Sequence, residues 1–137
     1  MKTDPGLENI IHHDRLLAII IRAHYSGDGI EFFTPATFSQ QLAYMKRPAG
    51  YVIAPHIHNK VPREVFYTQE VLLIRKGTVA INFYDDDRAP ICSAILQTGD
   101  VILLATGGHG LEMLDETEII EIKQGPYLGD ADKVRFD

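Results

Sequence analysis

Apolar and polar residues alternate with a period of two over most of this chain. Such alternation is typical of β-strands that bury one face. The runs are short, and glycine, proline and aspartate interrupt them at fairly regular intervals, as at Gly27-Asp28-Gly29 and Thr98-Gly99-Asp100. The pattern predicts strands at residues 15–24, 30–33, 41–46, 51–58, 66–75, 78–84, 91–97, 101–105, 109–114 and 117–123.

About ten short strands predict an all-β protein, either a sandwich or a barrel. A sustained helical period is missing, and residues 4–13 are expected to form at most one short helical turn. Residues 71–74 and 102–104 are apolar on both faces, which is typical of strands covered on both sides. A second subunit can supply one of these covers, so we expect a homodimer.

Size and composition narrow the class of protein. A chain of 137 residues suits a single domain spanning residues 1–137. The formal charge of −6 argues against nucleic acid as a partner, because phosphate binding needs a basic surface. Residues 1–6 are polar and the apolar run at 16–21 is too short to cross a bilayer, so neither a secretion signal nor a membrane partner is expected. Cys92 is the only cysteine, which fits a buried, unreactive thiol in a reducing cytoplasm.

Three histidines and a glutamate are the candidate chemistry of the chain. His56 and His58 alternate within the expected strand at residues 51–58, so they point to one face. Glu70 lies in register with the apolar positions of its own strand, where an unpaired carboxylate is costly to bury. Such a burial is explained if a cation or hydrogen bonds compensate the charge.

The third histidine, His109, shares its face with Leu111 and Met113. Imidazole nitrogens and a carboxylate are ligands that divalent transition metals prefer. A shared metal ion is therefore one interpretation of the four residues. The alternative is that each is exposed at a strand end or is a hydrogen-bonded core histidine.

At these residues the chain resembles the cupin family. The first cupin motif has a glycine, His-x-His, a glutamate and a second glycine, and here it is matched by Gly50, His56, His58, Glu70 and Gly77. The spacings from Gly50 to His56 and from Glu70 to Gly77 agree with the motif. The spacer between His58 and Glu70 is longer than usual in the family, and an extended loop can absorb it.

Another acidic residue competes for the glutamate position of the first motif. Glu64 lies closer to His58 than Glu70 does. Six residues after Glu64, however, the chain has Val71 rather than glycine. We therefore assign the motif to Glu70.

The second cupin motif is matched only in part. Gly99, Gly107 and His109 correspond to its two glycines and its histidine. Ala105 stands where proline is usual, Met113 stands where asparagine is usual, and one residue is missing before the histidine. The ligand position is kept although the motif is weakened.

The resemblance implies a jelly-roll barrel, also called a double-stranded β-helix. Its core would span about residues 41–123, with the strands at 15–33 added to the sheets and a polar tail at 128–137. It also implies a divalent transition metal such as iron, manganese, nickel or zinc. The implied ligands are His56, His58, Glu70 and His109.

Four further residues are candidates for substrate binding. Arg47, Arg63 and Lys123 can bind an anionic substrate at the barrel mouth, although solvated charges at strand ends explain them as well. Tyr127 follows the last strand and can cover one end of the barrel or line its opening.

Three functions stay open at the level of sequence. The first is a metal-dependent enzyme, a dioxygenase or an isomerase or epimerase, acting on a small polar molecule. Residues 107–110 and 123–127 resemble segments of small cupins from bacterial polysaccharide clusters, which suggests a carbohydrate-like ligand. The second is a non-catalytic cupin that binds or senses a small molecule. The third is a metal-free sugar-nucleotide ketoisomerase, a class that generally has glutamine at the position of Glu70.

Overall fold

The computed structural model describes residues 5–137, and nearly all its regular structure is antiparallel β-strand. The all-β prediction is confirmed. One short 3-10 turn, Gly129–Ala131, follows the last strand. The strands are β1 (Leu7–His12), β2 (Arg15–Ile21), β3 (Gly29–Phe32), β4 (Ala43–Lys46), β5 (Glu70–Lys76), β6 (Thr78–Tyr84), β7 (Pro90–Gln97), β8 (Val101–Leu104), β9 (Gly108–Met113) and β10 (Glu118–Lys123).

Two sheets pack face to face around the main core. The larger sheet has the order β1-β2-β8-β5-β10, and the smaller one has the order β7-β6-β9. Their inner faces meet in one apolar cluster, to which the larger sheet contributes Leu72 and Ile74 and the smaller sheet contributes Ile81 and Phe83. The period-two alternation of β5 and β6 produces this packing, because every second side chain points between the sheets.

The outer face of the larger sheet is covered by the chain itself. Ile19, Val71 and Leu103 form a second apolar cluster with Leu42, and Phe33 packs against it. The segment around the small sheet β3-β4 thus supplies the cover that the doubly apolar strands need. We expected a homodimer because one sheet face needed a cover, and this face is already buried within one chain. The homodimer itself stays a prediction.

The short helix expected at residues 4–13 is wrong for the residues that the structure describes, while Asp4 itself lies outside them. Leu7–His12 forms β1, which pairs with β2 as a hairpin. His13 and Asp14 both have positive φ, 51° and 61°. Two consecutive left-handed residues make the tight turn whose twist matches a β-hairpin, so the turn residues determine the structure here.

The predicted strand at residues 51–58 does not form, and the strand predicted from residue 66 begins only at Glu70. Residues 51–67, which we call the arm, are exposed throughout and lack regular structure. Pro55 and Pro62 remove two of the backbone donors that strand pairing requires. Two residues after the arm the chain returns to the fold at Gln69, whose buried side chain accepts a hydrogen bond from the Gln40 backbone N–H at 3.1 Å.

Cys92 is exposed, which corrects the expectation of a buried thiol. It lies on β7, and in the part of the chain that the structure describes β7 pairs only with β6. The apolar run around Cys92 therefore belongs to a sheet edge and not to a fully covered strand. Within residues 5–137, no helix has the length and apolar character needed to cross a membrane.

Candidate functional site

Glu70 and His109 meet at one end of the space between the two sheets. Glu70 begins β5 and pairs with Leu104 and Lys123 on the neighbouring strands, while His109 lies on β9 opposite Phe83. His109 Nε2 lies 3.3 Å from Glu70 Oε2, and the side chains are 30% and 17% exposed. The inward positions expected for both residues place them side by side.

The environment of Glu70 favours its carboxylate form. The hydrogen bond from His109 lowers the pKa of Glu70, partial burial opposes this shift, and the charges of His109, Lys123 and Lys133 lower the pKa further. Lys123 Nζ lies 4.0 Å from Glu70 Oε1 and 3.9 Å from Glu121 Oε1. The site thus keeps an anionic oxygen next to an imidazole at neutral pH.

The spacing of these two donors fits a shared metal ion. Two ligands bound about 2.1 Å from one ion, at angles between 90° and the tetrahedral value, lie about 3.0 to 3.4 Å apart. The Oε2–Nε2 separation of 3.3 Å falls in that range. Glu70 and His109 can therefore occupy neighbouring positions on one ion with little movement.

His56 and His58 lie on the arm, away from any strand. Both are exposed, and their ring centroids are 5.2 Å apart at an interplanar angle of 77°. His56 Nδ1 lies 2.8 Å from the carbonyl oxygen of Ala54. Since a carbonyl only accepts, Nδ1 carries the proton of the neutral ring and Nε2 keeps its lone pair, which is the usual state of a metal-binding histidine.

The structure thus brings two of the four expected ligands together. Within residues 5–137, no group of three or more His, Cys, Asp or Glu side chains is arranged to hold a metal ion. The strand that would aim His56 and His58 at one face is missing, so their alternation does not bring them to Glu70. Glu70 and His109 fit two positions of a metal site, and His56 and His58 are not placed beside them.

A cavity of about 480 Å³, which we call the main cavity, opens beside Glu70 and His109. Its remaining charged lining is mixed: Arg15, Lys133 and Arg135 are cationic, whereas Asp86 and Asp132 are anionic. Arg15 Nη1 forms an ion pair with Asp86 Oδ2 at 2.5 Å. A volume of this order accommodates a small ligand such as a single sugar ring. The arrangement can hold a small polar molecule next to the Glu70–His109 pair.

The C-terminal tail forms one wall of the main cavity, a role that the sequence pattern did not reveal. Phe136 stacks edge-on against Tyr84 with centroids 5.1 Å apart, and the Arg88 guanidinium lies 5.5 Å from the Phe136 ring centre. Thr68, which also lines the cavity, donates a hydrogen bond to Asp132 of the tail. The only sequence signal of this role is an aromatic residue within the otherwise polar tail.

The four candidate substrate-binding residues separate into two pairs. Lys123 and Tyr127 line a second, smaller cavity of about 200 Å³ next to the tail. Arg47 stacks over the Tyr51 ring at 4.5 Å from its centre, and Arg63 is exposed on the arm. Lys123 is therefore the one of the four that also contacts the Glu70 site.

The chain matches no protein-family model, no curated protein and no solved structure. The Glu70–His109 pair, the main cavity beside it and the exposed histidines of the arm are the observations from which a function can be inferred.

Proposed function

We propose that this protein is a metal-binding cupin with a jelly-roll fold that acts on a small polar, carbohydrate-like molecule in the cytoplasm. The observation that supports this most directly is the 3.3 Å contact between Glu70 and His109 next to a cavity of about 480 Å³. A carboxylate and an imidazole at this distance form half of the ligand set that the cupin resemblance implies. The proposed chemistry is of the dioxygenase or the isomerase and epimerase type.

Each residue has a distinct role in this proposal. Glu70 and His109 hold a divalent iron, manganese, nickel or zinc ion, and His56 and His58 complete the ligand set when the arm reaches them. The bound ion would act as a Lewis acid or bind oxygen. The hydrogen bond from His109 keeps Glu70 ionised, and the ammonium group of Lys123, 4.0 Å from the carboxylate, adds to this effect.

The charged side chains of the main cavity bind the substrate in this proposal. Arg15, Lys133 and Arg135 supply donors beside Glu70 and His109, and Asp86 and Asp132 supply acceptors. Sugar hydroxyl groups both donate and accept hydrogen bonds, so a neutral sugar matches this mixed lining. The tail residue Phe136 supplies an apolar surface on the same side of the cavity.

Elemental analysis of protein purified without a histidine tag tests the metal site. We expect about one transition-metal ion per chain, and loss of most of it in Glu70→Gln and His109→Ala. His12→Ala is the matched control, because His12 is a half-buried histidine of β1 outside the ligand set. Equal metal content in His109→Ala and His12→Ala would rule out the proposed site.

A metal-free proton-transfer site is the second candidate, and the direct contact between Glu70 and His109 favours it. A carboxylate that orients an imidazole is an arrangement used in general acid–base catalysis. This is the chemistry of the metal-free sugar-nucleotide ketoisomerases, although Glu70 departs from the glutamine of that class. Turnover that survives exhaustive chelation and is lost in Glu70→Gln would favour this candidate.

A non-catalytic protein that binds or senses a small molecule uses the same cavity. Turnover distinguishes such a protein from an enzyme, because a binding protein releases its ligand chemically unchanged. Turnover of candidate sugars by metal-loaded protein, together with its loss in His56→Ala, would exclude the binder.

A further inference from the structure

The outer edge of β9 is an open position in the smaller sheet. Across residues 5–137, β9 pairs with β6 on one side and with no strand on the other. Leu111 and Met113 lie opposite the buried Ile81 and Val79, so both point between the sheets. They are nevertheless 38% and 50% exposed. A row of inward apolar side chains left in solvent indicates that one further strand belongs beside β9.

The arm exposes many apolar side chains that a strand within a sheet would bury. All of residues 51–67 are exposed, including Ile57, which is 92% exposed. Isolated apolar side chains on a surface are common, whereas a continuous exposed apolar segment is typical of an interface. Its large exposed apolar side chains are Tyr51, Val52, Ile53, Ile57, Val61, Val65, Phe66 and Tyr67.

The charges of the arm and of the open edge are complementary. Residues 46–67, which are the arm and the five residues before it, contain one acidic side chain, Glu64, and four basic ones: Lys46, Arg47, Lys60 and Arg63. Residues 108–121, which include β9 and the start of β10, contain five acidic side chains and no basic one: Glu112, Asp115, Glu116, Glu118 and Glu121. A segment with the charge of the arm is therefore attracted to this edge.

The side-chain order of the arm also fits the edge. Strand alternation would place Val52, Ala54, His56 and His58 on one face. In an antiparallel pairing with β9, the Val52 end faces the Met113 end and the histidines reach the His109 end. The apolar half of the arm would then cover the exposed inner row, and its polar half would meet the Glu70–His109 pair.

We propose that the arm of a second copy of this chain adds as a strand to the open edge of β9, and that the exchange is reciprocal. Within one chain the arm is solvated and unpaired although its own β9 edge is available, so we assign the edge to the second copy. Exchange of identical segments is a low-cost route to a symmetric dimer. Where the proposed metal site is correct, on which this part of the inference depends, each site takes Glu70 and His109 from one copy and His56 and His58 from the other.

Complementation between variants tests the exchange. One variant carries His56→Ala and His58→Ala, the other carries Glu70→Gln, and the two chains are co-expressed with different affinity tags that do not bind metal. We expect each homodimer to lose most of its metal and the purified heterodimer to regain about one ion per dimer. The matched control pairs His56→Ala with His58→Ala, because every exchanged site in that heterodimer still lacks one ligand.

A second measurement does not depend on metal. Sedimentation should show a dimer for the wild type and for Ala54→Ser, and a monomer for Ala54→Pro. In the proposed strand the nitrogen of Pro55 faces away from β9, so the N–H of its neighbour Ala54 faces β9 and its loss removes a pairing donor. Ala54 is exposed in the single chain, so the proline does not disturb its core.

The outcomes separate the exchange from the metal site. A metal-free dimer that Ala54→Pro dissociates supports the exchange and overturns the proposed metal function. A wild-type monomer, or a metal-containing dimer whose heterodimer regains no metal, overturns the exchange.

Discussion

Asp100 accepts a hydrogen bond from Arg22 across the turn that precedes β8, with Arg22 Nη1 3.1 Å from Asp100 Oδ2. The same carboxylate accepts the backbone N–H groups of Ala23 and Gln97, each at 2.8 Å. Arg22 also binds Glu8 of β1, with Nε 2.5 Å from Oε2. One largely buried carboxylate and one guanidinium therefore connect β1, the end of β2 and the turn that leads into β8.

Removal of this carboxylate should destabilise the fold strongly. Asp100→Ala leaves two backbone donors and part of the Arg22 guanidinium without an acceptor, and we expect a loss of about 3 kcal/mol in the free energy of unfolding. Denaturant titration measures the loss. Asp130→Ala is the control, because the ion pair of Asp130 with Arg135 is exposed and should leave the unfolding curve unchanged. Similar curves for the two variants would contradict the role of Asp100.

Most of the fold follows from local pattern, and the exceptions have physical causes. The segment 78–84 was predicted with its observed bounds, because alternation and a glycine turn both mark it. The hairpin of β1 and β2 was missed because His13 and Asp14 turn in the left-handed region without a glycine to signal it. A local sequence pattern does not show which non-glycine residues a hairpin turn will hold in the left-handed conformation.

The sequence could predict only the part of the candidate site that depends on the alternation of side chains along a single strand. Parity placed Glu70 and His109 on inward rows, and the register of β5 and β9 agrees. It failed for His56 and His58, because alternation sets a direction only in a segment that has a strand beside it. The contribution of Phe136 to the cavity depends on its distant contact with Tyr84, which no local pattern contains.

Gly77 should tolerate no side chain. Its φ is +104°, and an added Cβ would lie 2.6 Å from the Glu116 carbonyl oxygen and 2.8 Å from Thr117 Cα. We expect Gly77→Ala to cost about 3 kcal/mol, of which about 1 kcal/mol is backbone strain and the rest is the displaced neighbouring turn.

Gly50 provides the control for this substitution. It also has a positive φ, +85°, but nothing lies within 4 Å of an added Cβ. Gly50→Ala should therefore cost only the strain of about 1 kcal/mol. Thermal unfolding of both variants measures the difference, and equal costs would show that the close contacts at Gly77 relax freely.

Tyr25 should ionise at higher pH than a free tyrosine. Its hydroxyl donates a hydrogen bond to Glu31 Oε2 at 2.7 Å, and this bond, with smaller effects of desolvation and charge, raises the pKa of Tyr25. The folded state prefers the protonated phenol, so the hydrogen bond stabilises the fold at pH values below the ordinary tyrosine pKa. This stabilisation is lost as the pH rises through the raised pKa of Tyr25. The phenolate absorbance of wild type minus Tyr25→Phe gives the titration, and Glu31→Gln should return it towards the ordinary value. An unchanged titration in Glu31→Gln would contradict the assignment.

Lys123 should weaken metal binding at the proposed site, although its charge adds to the His109 hydrogen bond that keeps Glu70 ionised. Its ammonium lies 4.0 Å from Glu70 Oε1, so a divalent ion bound there would be repelled by it. We expect Lys123→Met to tighten the binding of added Co²⁺ or Zn²⁺ about tenfold, which corresponds to about 1.4 kcal/mol of removed repulsion. Lys76→Met is the matched control, because Lys76 is an exposed lysine at the opposite end of β5. Calorimetric titration of the chelator-treated proteins measures both affinities. Weaker binding in Lys123→Met would show instead that the ammonium group holds the Glu70 carboxylate in its ligand position.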